Sequence, residues 1–563
     1  MDRVLEIVLD VVIPAAPDRK SAKAAATATA SRAHASPKPS EQAASLCAAL
    51  PTLVAQPEAR ECVTTVAFDR DGVLGGLGWR VAVESHGGTQ RVVVSSRRVH
   101  TPGVTVVTPI FAAALDANGI AHALFDAAPE PFREALGSAD DLAASATLVA
   151  TRSRWQWPRD GIDVLLTFDE DLHEPPAAPQ GPVAQDARGA DAAPPPDLPE
   201  LPELHELHEL HELHELRVSA PWPEGEDERP IVDALFACAG DLVGALPAFV
   251  RLTDALDRAG AGSVTGDAEA IKAEAVDLGG AATAEAALVA IGRNISAQWF
   301  GNDAGVRDST NGEFIHQMRV SQRRLRTAMR IFSRWCDETW ETRIEPELKW
   351  LGGLLGDARD RDVFVESTLP ALAAADVEPG RWDAIRDAAN AQRLAARARL
   401  REALASQRYA RVALAWLQWL DLLARRAHDA GSAGLSLHRH AKQRVRRYYE
   451  RLASTPKLTA IDEASRHRAR INAKYLRYTI EFFATLTSRR TRVEVARALA
   501  RLQSVLGDGN DAAVALRYLE RMDAEPYQLG FARGWCEAVK RYTAKEGERL
   551  LRELGEPKVP RGA

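Results

Sequence analysis

The clearest hydrophobic pattern in the chain is a helical one between residues 313 and 333. Apolar side chains recur there at helical spacing, three, four or seven residues apart, at Ile315, Met318, Leu325, Met329 and Phe332. One row further around the helix, cationic side chains recur at the same spacing. This cationic row consists of His316, Arg319, Arg323, Arg326 and Arg330, with Arg324 at its flank. The pattern predicts a helix with one face in a core and the adjacent face covered by guanidinium groups.

No acidic residue accompanies this cationic row, because the chain has neither Asp nor Glu between Gln317 and Arg330. Solvated helices usually place acids one turn away from their arginines, and a solvated face is the plain alternative interpretation. Arginines that lack such acids repel one another. The sequence therefore indicates that a compensating anion comes from elsewhere in the fold or from a ligand.

The same pattern returns later in the chain. At residues 467–483 the row His467, Arg470, Lys474 and Arg477 repeats the row at residues 316–326 with an offset of 151 residues. The segments LLGDARDRDV at 354–363 and VLGDGNDAAV at 505–514 have the same offset. Two motifs that share one offset predict a duplicated helical unit. We call residues 316–363 the first copy and residues 467–514 the second copy.

These motifs resemble the CHAD domain, the conserved histidine alpha-helical domain. The resemblance rests on HQMRVSQRRLR at His316–Arg326 and LGDARDRDV at Leu355–Val363, and on weaker second versions at His467–Tyr478 and Leu506–Asp511. It covers about residues 278–555. The resemblance implies an all-α domain of two pseudo-symmetric four-helix bundles around a basic cavity or groove that binds inorganic polyphosphate. A turn is expected at Gly356.

Further residues join the predicted polyphosphate site. A basic stripe at Arg439, Lys442 and Arg446 has no counterpart in the first half of the repeat, where apolar residues stand. Asp360 and Asp511 recur in both copies and are expected to hold arginine forks, with helix N-capping as the alternative. The predicted polyphosphate site thus consists of both cationic rows, Arg324 and this basic stripe. Arg359, Asp360, Asp362 and Asp511 are predicted as supporting residues.

The first half of the chain has a different pattern. Alternating apolar residues predict strands at about 4–13, 63–69, 78–84, 90–96, 146–155 and 162–168. We expect an antiparallel sheet or barrel, followed by a helix at 231–256. Low-complexity inserts are predicted at about 19–45 and 172–216. The second contains His-Glu-Leu repeats with His205, His208, His211 and His214, whose period of three builds no lasting helical stripe, so that an expanded linker is favoured over a metal site.

This half resembles a degenerate CYTH domain, the barrel of triphosphate-processing enzymes. The family pattern implies carboxylates that bind a divalent metal and cations that bind phosphates. On the first strand Glu6 is present, but Val8 stands where the pattern has a second carboxylate and Asp10 stands where it has a lysine. Arg80 is present, but Ala82 stands where the family pattern has a second arginine, and Leu165 stands where it has an acid. Arg152 or Arg154 alone cannot replace the missing metal site. Neither catalytic residues nor a metal or cofactor are predicted. A non-enzymatic role is favoured over a metal-dependent triphosphatase.

The predicted fold class is therefore α+β and multidomain, with an antiparallel β-barrel-like CYTH-related domain at 1–266 and an all-α CHAD domain at 278–555. Two long helices are expected within it at 284–299 and 391–424.

Charge supports this division. From residue 283 onward the chain has 49 Lys and Arg against 35 Asp and Glu, and before it 22 against 43, although the net charge is only −7. Only seven of those 49 are Lys, and the planar fork of Arg matches phosphate oxygens in pairs. Nucleic acid is an alternative polyanion, but Tyr475 and Tyr478 are the main aromatics for base stacking in these helices.

The remaining predictions concern the setting of the protein. Five scattered cysteines indicate no disulfide framework, and no apolar run is long enough to cross a bilayer. The sequence thus predicts a cytoplasmic protein with inorganic polyphosphate as its partner and no membrane partner. Docking to polyphosphate granules is one role that such binding would allow. Oligomeric state is not predicted.

Overall fold

The computed structural model describes residues 3–11, 50, 57–115, 130–136, 142–171, 214–260 and 269–560. The chain divides into two compact units, Met1–Ala268 and Glu269–Ala563. The predicted domain limits of 1–266 and 278–555 remain predictions. The predicted insert at 19–45 lies outside the described residues, and so do His205, His208 and His211 of the His-Glu-Leu repeats.

The described part of the first unit is built on one sheet, and the predicted antiparallel arrangement is confirmed. Its strands are β1 Arg3–Val11, β2 Ala59–Asp69, β3 Trp79–His86, β4 Thr89–Thr101, β5 Val104–Ala114, β6 Ala143–Gln156, β7 Leu165–Asp171, β8 His214–Trp222 and β9 Ala248–Arg251. Their order is β5-β4-β3-β2-β6-β7-β8-β1-β9, and β1 also pairs with β5. Val4 of β1 lies opposite Val107 of β5. Strand β1, near one end of the strand order, thus also pairs with the strand at the other end.

Short helices complete this unit: α1 Val73–Gly76, α2 Glu130–Leu136, α3 Arg229–Ala245 and α4 Ala255–Gly260. The helix predicted at 231–256 is thus divided by β9. Helix α3 packs against β1 and β8, where Leu5, Ile7 and Leu9 are fully buried.

The last His-Glu-Leu unit is not linker, which corrects the prediction for residues 214–216. His214 begins β8, in which Leu216 and Val218 are fully buried and alternate with Glu215 and Arg217. The strand period of two places these charged residues on the opposite face of the sheet from the leucine and valine. The repeat hides this period, because its own period is three.

The described part of the second unit is helical, which confirms the all-α prediction for this half. Its α-helices are α5 Ala284–Gly301, α6 Asp303–Asp308, α7 Gly312–Ile331, α8 Glu345–Val363, α9 Leu369–Ala374, α10 Asp383–Leu404, α11 Gln407–Ala430, α12 Leu437–Ala453, α13 Glu463–Phe482, α14 Ala496–Leu519 and α15 Pro526–Glu553. The helix predicted at 391–424 is divided, because the Ser406 hydroxyl accepts a hydrogen bond from the Tyr409 amide and caps α11. Over the described ranges, each helix is too short or too polar to span a membrane.

The repeat seen in the sequence extends to the element boundaries. Helix α7 begins at 312 and ends at 331, and α13 begins at 463 and ends at 482. The 3-10 helix Ser333–Trp335 and the π-helix Trp340–Ile344 recur as Ala484–Leu486 and Thr491–Val495 with the same offset. Two pseudo-symmetric four-helix bundles remain a prediction. The turn expected at Gly356 is wrong, because this residue lies within α8.

Candidate anion-binding site

A cavity of about 1090 Å³ opens within the second unit between α7, α12 and α13, with α8 and α14 at its sides. Among the described residues that line it are eleven cationic side chains and two glutamates, Glu341 and Glu345. The cations are Arg319, Arg323, Arg326, Arg330, Lys349, Arg444, Arg447, Arg451, Arg470, Lys474 and Arg477. So large an excess of one charge in a concave site is typical of a polyanion site.

Both predicted cationic rows meet in this one cavity. The first row contributes His316, Arg319, Arg323, Arg326 and Arg330, and the second contributes Arg470, Lys474 and Arg477. The helices bring the rows together because the apolar faces beside them, with Met318 and Leu325 in α7 and Leu476 in α13, are fully buried. His467 does not line the cavity and is exposed near the start of α13.

The structure places the basic stripe predicted on α12 outside the cavity. Arg439, Lys442 and Arg446 are exposed outside the cavity lining, and Arg446 donates to Glu450 at 2.7 Å. Arg444, Arg447 and Arg451 face the cavity instead. Basic residues occur on most sides of α12, so that their spacing alone does not select a face. The apolar row Ala441, Val445, Tyr448 and Leu452, which is buried, would have selected it.

Arg324, which the sequence predicts as a polyphosphate ligand, does not line the cavity. Its side chain has no exposed surface. The guanidinium donates from Nε to Glu481 at 2.7 Å, from Nη1 to Gln298 at 2.9 Å and from Nη2 to Asn294 at 2.7 Å. These contacts use its donors inside the protein, so that Arg324 joins α5, α7 and α13 and is not available to a ligand.

The contacts between α7 and α13 are reciprocal. Arg324 pairs with Glu481, the counterpart of Arg330, and the Arg330 guanidinium lies 5.1 Å from the ring centre of Tyr475, the counterpart of Arg324. Phe332 contacts its own counterpart, Phe483, with ring centres 5.9 Å apart. A two-fold relation between two repeats produces contacts of this kind.

Helix α8 holds two of the arginines in place. Arg319 donates from Nη1 to the Gly356 carbonyl at 2.6 Å and forms an ion pair with Asp360 at 3.1 Å. A Cβ atom at Gly356 would lie 3.2 Å from the Arg319 guanidinium, and one at Gly352 would lie 3.1 Å from that of Arg326. These glycines therefore leave space for arginine side chains.

The four predicted supporting residues have different surroundings. Asp360 and Asp511 lie inside α8 and α14, so that neither is a helix N-cap. Asp511 accepts from Asn510 at 3.4 Å, and burial raises its pKa. Asp362 is fully buried and pairs with Arg397 at 2.8 Å, away from the cavity lining. The positive charge of Arg359 acts on His316 and helps to lower its pKa.

The cavity holds positive charge that the protein does not neutralise. Burial, together with Arg323 and Arg326, lowers the pKa of Lys474 to about 8. Burial and the charge of Arg359 lower the pKa of His316 to about 4, which leaves its ring neutral at pH 7. Within the described part of the chain, Arg323, Arg326 and Lys474 have no carboxylate partner, and the buried Nε of Arg323 has no hydrogen-bond acceptor. An anionic ligand would relieve this repulsion.

The first unit treats its interior arginines differently. Arg80 donates to both oxygens of Asp254 at 2.6 and 2.9 Å, and Arg97 lies 3.1 Å from the same carboxylate. Burial alone would raise the pKa of Asp254, but Arg80 and Arg97 outweigh it and lower the pKa far below the usual range. Glu6 also pairs with Arg97.

Other charged residues on this sheet are paired as well. Arg152 donates to both oxygens of Asp169 at 2.7 and 2.9 Å, Arg154 pairs with Glu61 at 2.8 Å and Asp10 accepts from Arg258 at 2.6 Å. Within the ranges that the structure describes, three or more His, Cys, Asp or Glu side chains do not come together as a possible metal site.

Comparison with known proteins finds a family model for the part of the chain that contains the cavity. The family model of the CHAD domain matches residues 290–520, so that this part of the chain is a CHAD domain. A crystal structure of the CHAD domain from the plant Ricinus communis is 28% identical, with 52% of this chain and 99% of that chain covered and a TM-score of 0.45. No curated protein matches the chain.

Two further solved structures are similar over a comparable length. PptA from Streptomyces chartreusis is 18% identical, with 48% of this chain and 99% of that chain covered and a TM-score of 0.35. A Hippeastrum protein named as an adenylyl cyclase and described as having a dominant triphosphatase activity is 14% identical, with coverage of 46% and 96% and a TM-score of 0.27.

Proposed function

We propose that this protein binds inorganic polyphosphate in the cationic cavity of its CHAD domain. The observation that carries the proposal is the convergence of both cationic rows on one cavity with eleven Lys and Arg and only two Glu among its described lining residues. Burial and the repulsion between clustered cations together lower the affinity of these groups for protons, as the depressed pKa of Lys474 illustrates. A ligand with repeated negative charges removes this repulsion at many residues together.

The distribution of the cations favours a polymer over a single phosphate ion. Arg323 on α7, Arg470 on α13 and Arg447 on α12 line one cavity from three helices. One phosphate ion offers a few oxygens and can engage only a few of these side chains. We infer that successive phosphates of one chain occupy successive arginine forks. Affinity is therefore expected to rise with chain length and to fall steeply with added salt.

The aromatic residues in the cavity favour polyphosphate over nucleic acid. The Tyr475 ring already has Arg330 at 5.1 Å and Lys474 at 5.2 Å from its centre, and the Tyr478 ring has Arg477 at 5.1 Å. These cations lie where a stacked base would have to lie. The tyrosines are thus better suited to position cations than to bind bases.

We also infer that the first unit is a barrel-like domain without triphosphatase activity. The pairing of β1 with β5 supports a closed arrangement of its strands. Arg80 and Arg97 would be needed to bind a triphosphate, but Asp254 already binds both of them. In the cell, the cavity of the second unit would allow the protein to associate with polyphosphate granules.

A filter-binding titration of the full chain tests the proposal, with long polyphosphate and single-stranded RNA compared at equal phosphate concentration. Two charge-reversed variants locate the site: Arg323→Glu with Arg326→Glu, and Arg470→Glu with Lys474→Glu. Each lost phosphate contact is worth about 1.5–3 kcal/mol, so that affinity for polyphosphate should fall tens-fold or more in both.

The matched control is Arg517→Glu with Arg521→Glu, which changes the charge equally at two exposed arginines outside the cavity lining. Circular dichroism checks that each variant keeps its helices. The proposal is wrong if the cavity variants stay within threefold of this control, or if RNA binds as tightly as polyphosphate.

A further inference from the structure

The two copies carry different charges where they border the cavity. Glu341 and Glu345 of the π-helix and first turn of α8 line the cavity in the first copy. The residues 151 positions later are Arg492 and Ala496. The two acids of the first copy therefore line the cavity, whereas their counterparts in the second copy are an arginine and an alanine outside the described lining.

A second difference lies on α14, one turn further along. Ala500 and Ser504 line the cavity, and Arg497 and Arg501 occupy the neighbouring helical rows. In the first copy the residues at these positions are Pro346 and Trp350. The second copy thus adds two cations beside the lining that the first copy lacks.

These cations are exposed and lack acidic partners. Arg492, Arg497 and Arg501 all have exposed side chains, and none forms an ion pair with another residue that the structure describes. On the other side, Lys349 pairs with Glu345 at 3.3 Å, whereas Glu341 forms no ion pair with a residue in the described ranges. We call Arg492, Arg497 and Arg501 the basic edge, and Glu341 with Glu345 the acidic edge.

We propose that a polyphosphate chain longer than the cavity leaves it over the basic edge, while the acidic edge repels the chain. This inference rests on the proposed function. The lining cations exceed the lining acids by nine, so that about nine singly charged phosphate units neutralise the cavity. Units beyond that number find no further uncompensated positive charge among the described lining residues. The basic edge offers them cations, whereas Glu341 on the acidic edge offers them like charge.

The test compares the binding of two probes to the full chain. One is polyphosphate of about eight units, whose negative charge the cavity cations can neutralise, and the other is polyphosphate of about sixty units, whose charge far exceeds that of the cavity. The variant is Arg497→Gln with Arg501→Gln. Its matched control is Arg517→Gln with Arg521→Gln, which removes the same charge at two exposed arginines outside the cavity lining. Substituting exposed arginines by glutamine preserves helix propensity, and circular dichroism confirms the fold.

The variant should bind the long probe about five- to tenfold more weakly and the short probe within twofold of wild type. The slope of log affinity against log salt should fall by about 1.4 for the long probe only, at about 0.7 for each lost contact. Equal losses for both probes, or losses equal to those of the control, would overturn the basic edge while leaving cavity binding intact. Failure of the wild type to bind either probe would overturn the proposed function itself.

Discussion

Replacing Lys474 by methionine should stabilise the fold and weaken polyphosphate binding at the same time. Lys474 lies in the cavity, where burial and the surrounding Arg323, Arg326, Arg470 and Arg330 lower its pKa from 10.5 to about 8. The charged form is therefore less favourable in the folded protein than in the unfolded chain. Methionine keeps an unbranched apolar stem and removes the charge.

The magnitude follows from the two pKa values. The difference between 10.5 and about 8 corresponds to about 3 kcal/mol, which partial solvent access to this half-buried side chain reduces to about 2 kcal/mol. Loss of the contact with the Tyr475 ring, 5.2 Å away, offsets about 0.5–1 kcal/mol of it. We expect Lys474→Met to raise the free energy of unfolding by about 1–1.5 kcal/mol at pH 7, and to weaken polyphosphate binding about tenfold.

The pH dependence has a definite sign. Below pH 8 Lys474 is charged in both states, and its full destabilising effect is present. As the pH rises from about 8 to 10.5, the folded protein loses this proton while the unfolded chain keeps it, so that wild type gains stability relative to the variant. Urea unfolding of the full chain at pH 7 and pH 9.5, followed by circular dichroism, measures the difference. A variant less stable than wild type at pH 7, or an equal difference at both pH values, would refute this reasoning.

Three further outcomes are expected. Arg324→Met should destabilise the second unit by about 3 kcal/mol in urea unfolding, because it leaves the carboxylate of Glu481 without its partner; a change below about 1 kcal/mol would contradict this. Polyphosphate binding should strengthen as the pH falls from 7 to 5, because a bound anion raises the pKa of His316 from about 4 and favours its protonated, cationic ring. The increase should be smaller in His316→Gln, and identical pH profiles would count against His316 as a ligand. The full chain should release no phosphate from tripolyphosphate with Mg²⁺ or Mn²⁺, because Asp254 binds Arg80 and Arg97; turnover that Glu6→Ala abolishes would show the opposite.

Local spacing was sufficient for much of the site. The apolar row of α7, with Ile315, Met318 and Leu325, is buried as its helical period indicated. The cationic rows beside it and beside the corresponding row of α13 line one cavity. A helix that must bury one face fixes the direction of every other face, so that residues at constant angles to the apolar row are predictable from sequence.

Where the apolar row was not used, the prediction selected a helix face outside the cavity. On α12, Arg439, Lys442 and Arg446 were selected by spacing among cations, and they lie outside the cavity lining. Cations occur around most of this helix, so that only the buried Val445 and Tyr448 indicate which of them point inward.

The sequence by itself determined the duplication, the secondary structure of α7 and α13, and the eight residues of the two cationic rows that meet in the cavity, because these depend on periodicity along single helices. Tertiary structure alone decided which charges stay free. The sequence presents Arg324 and Arg330 as surplus cations of the first copy and Tyr475 and Glu481 as gaps in the second. In the fold, Arg324 binds Glu481 and Arg330 lies over Tyr475. Whether a charge is neutralised depends on atoms within a few ångströms in space, and these partners are about 150 residues apart in the chain.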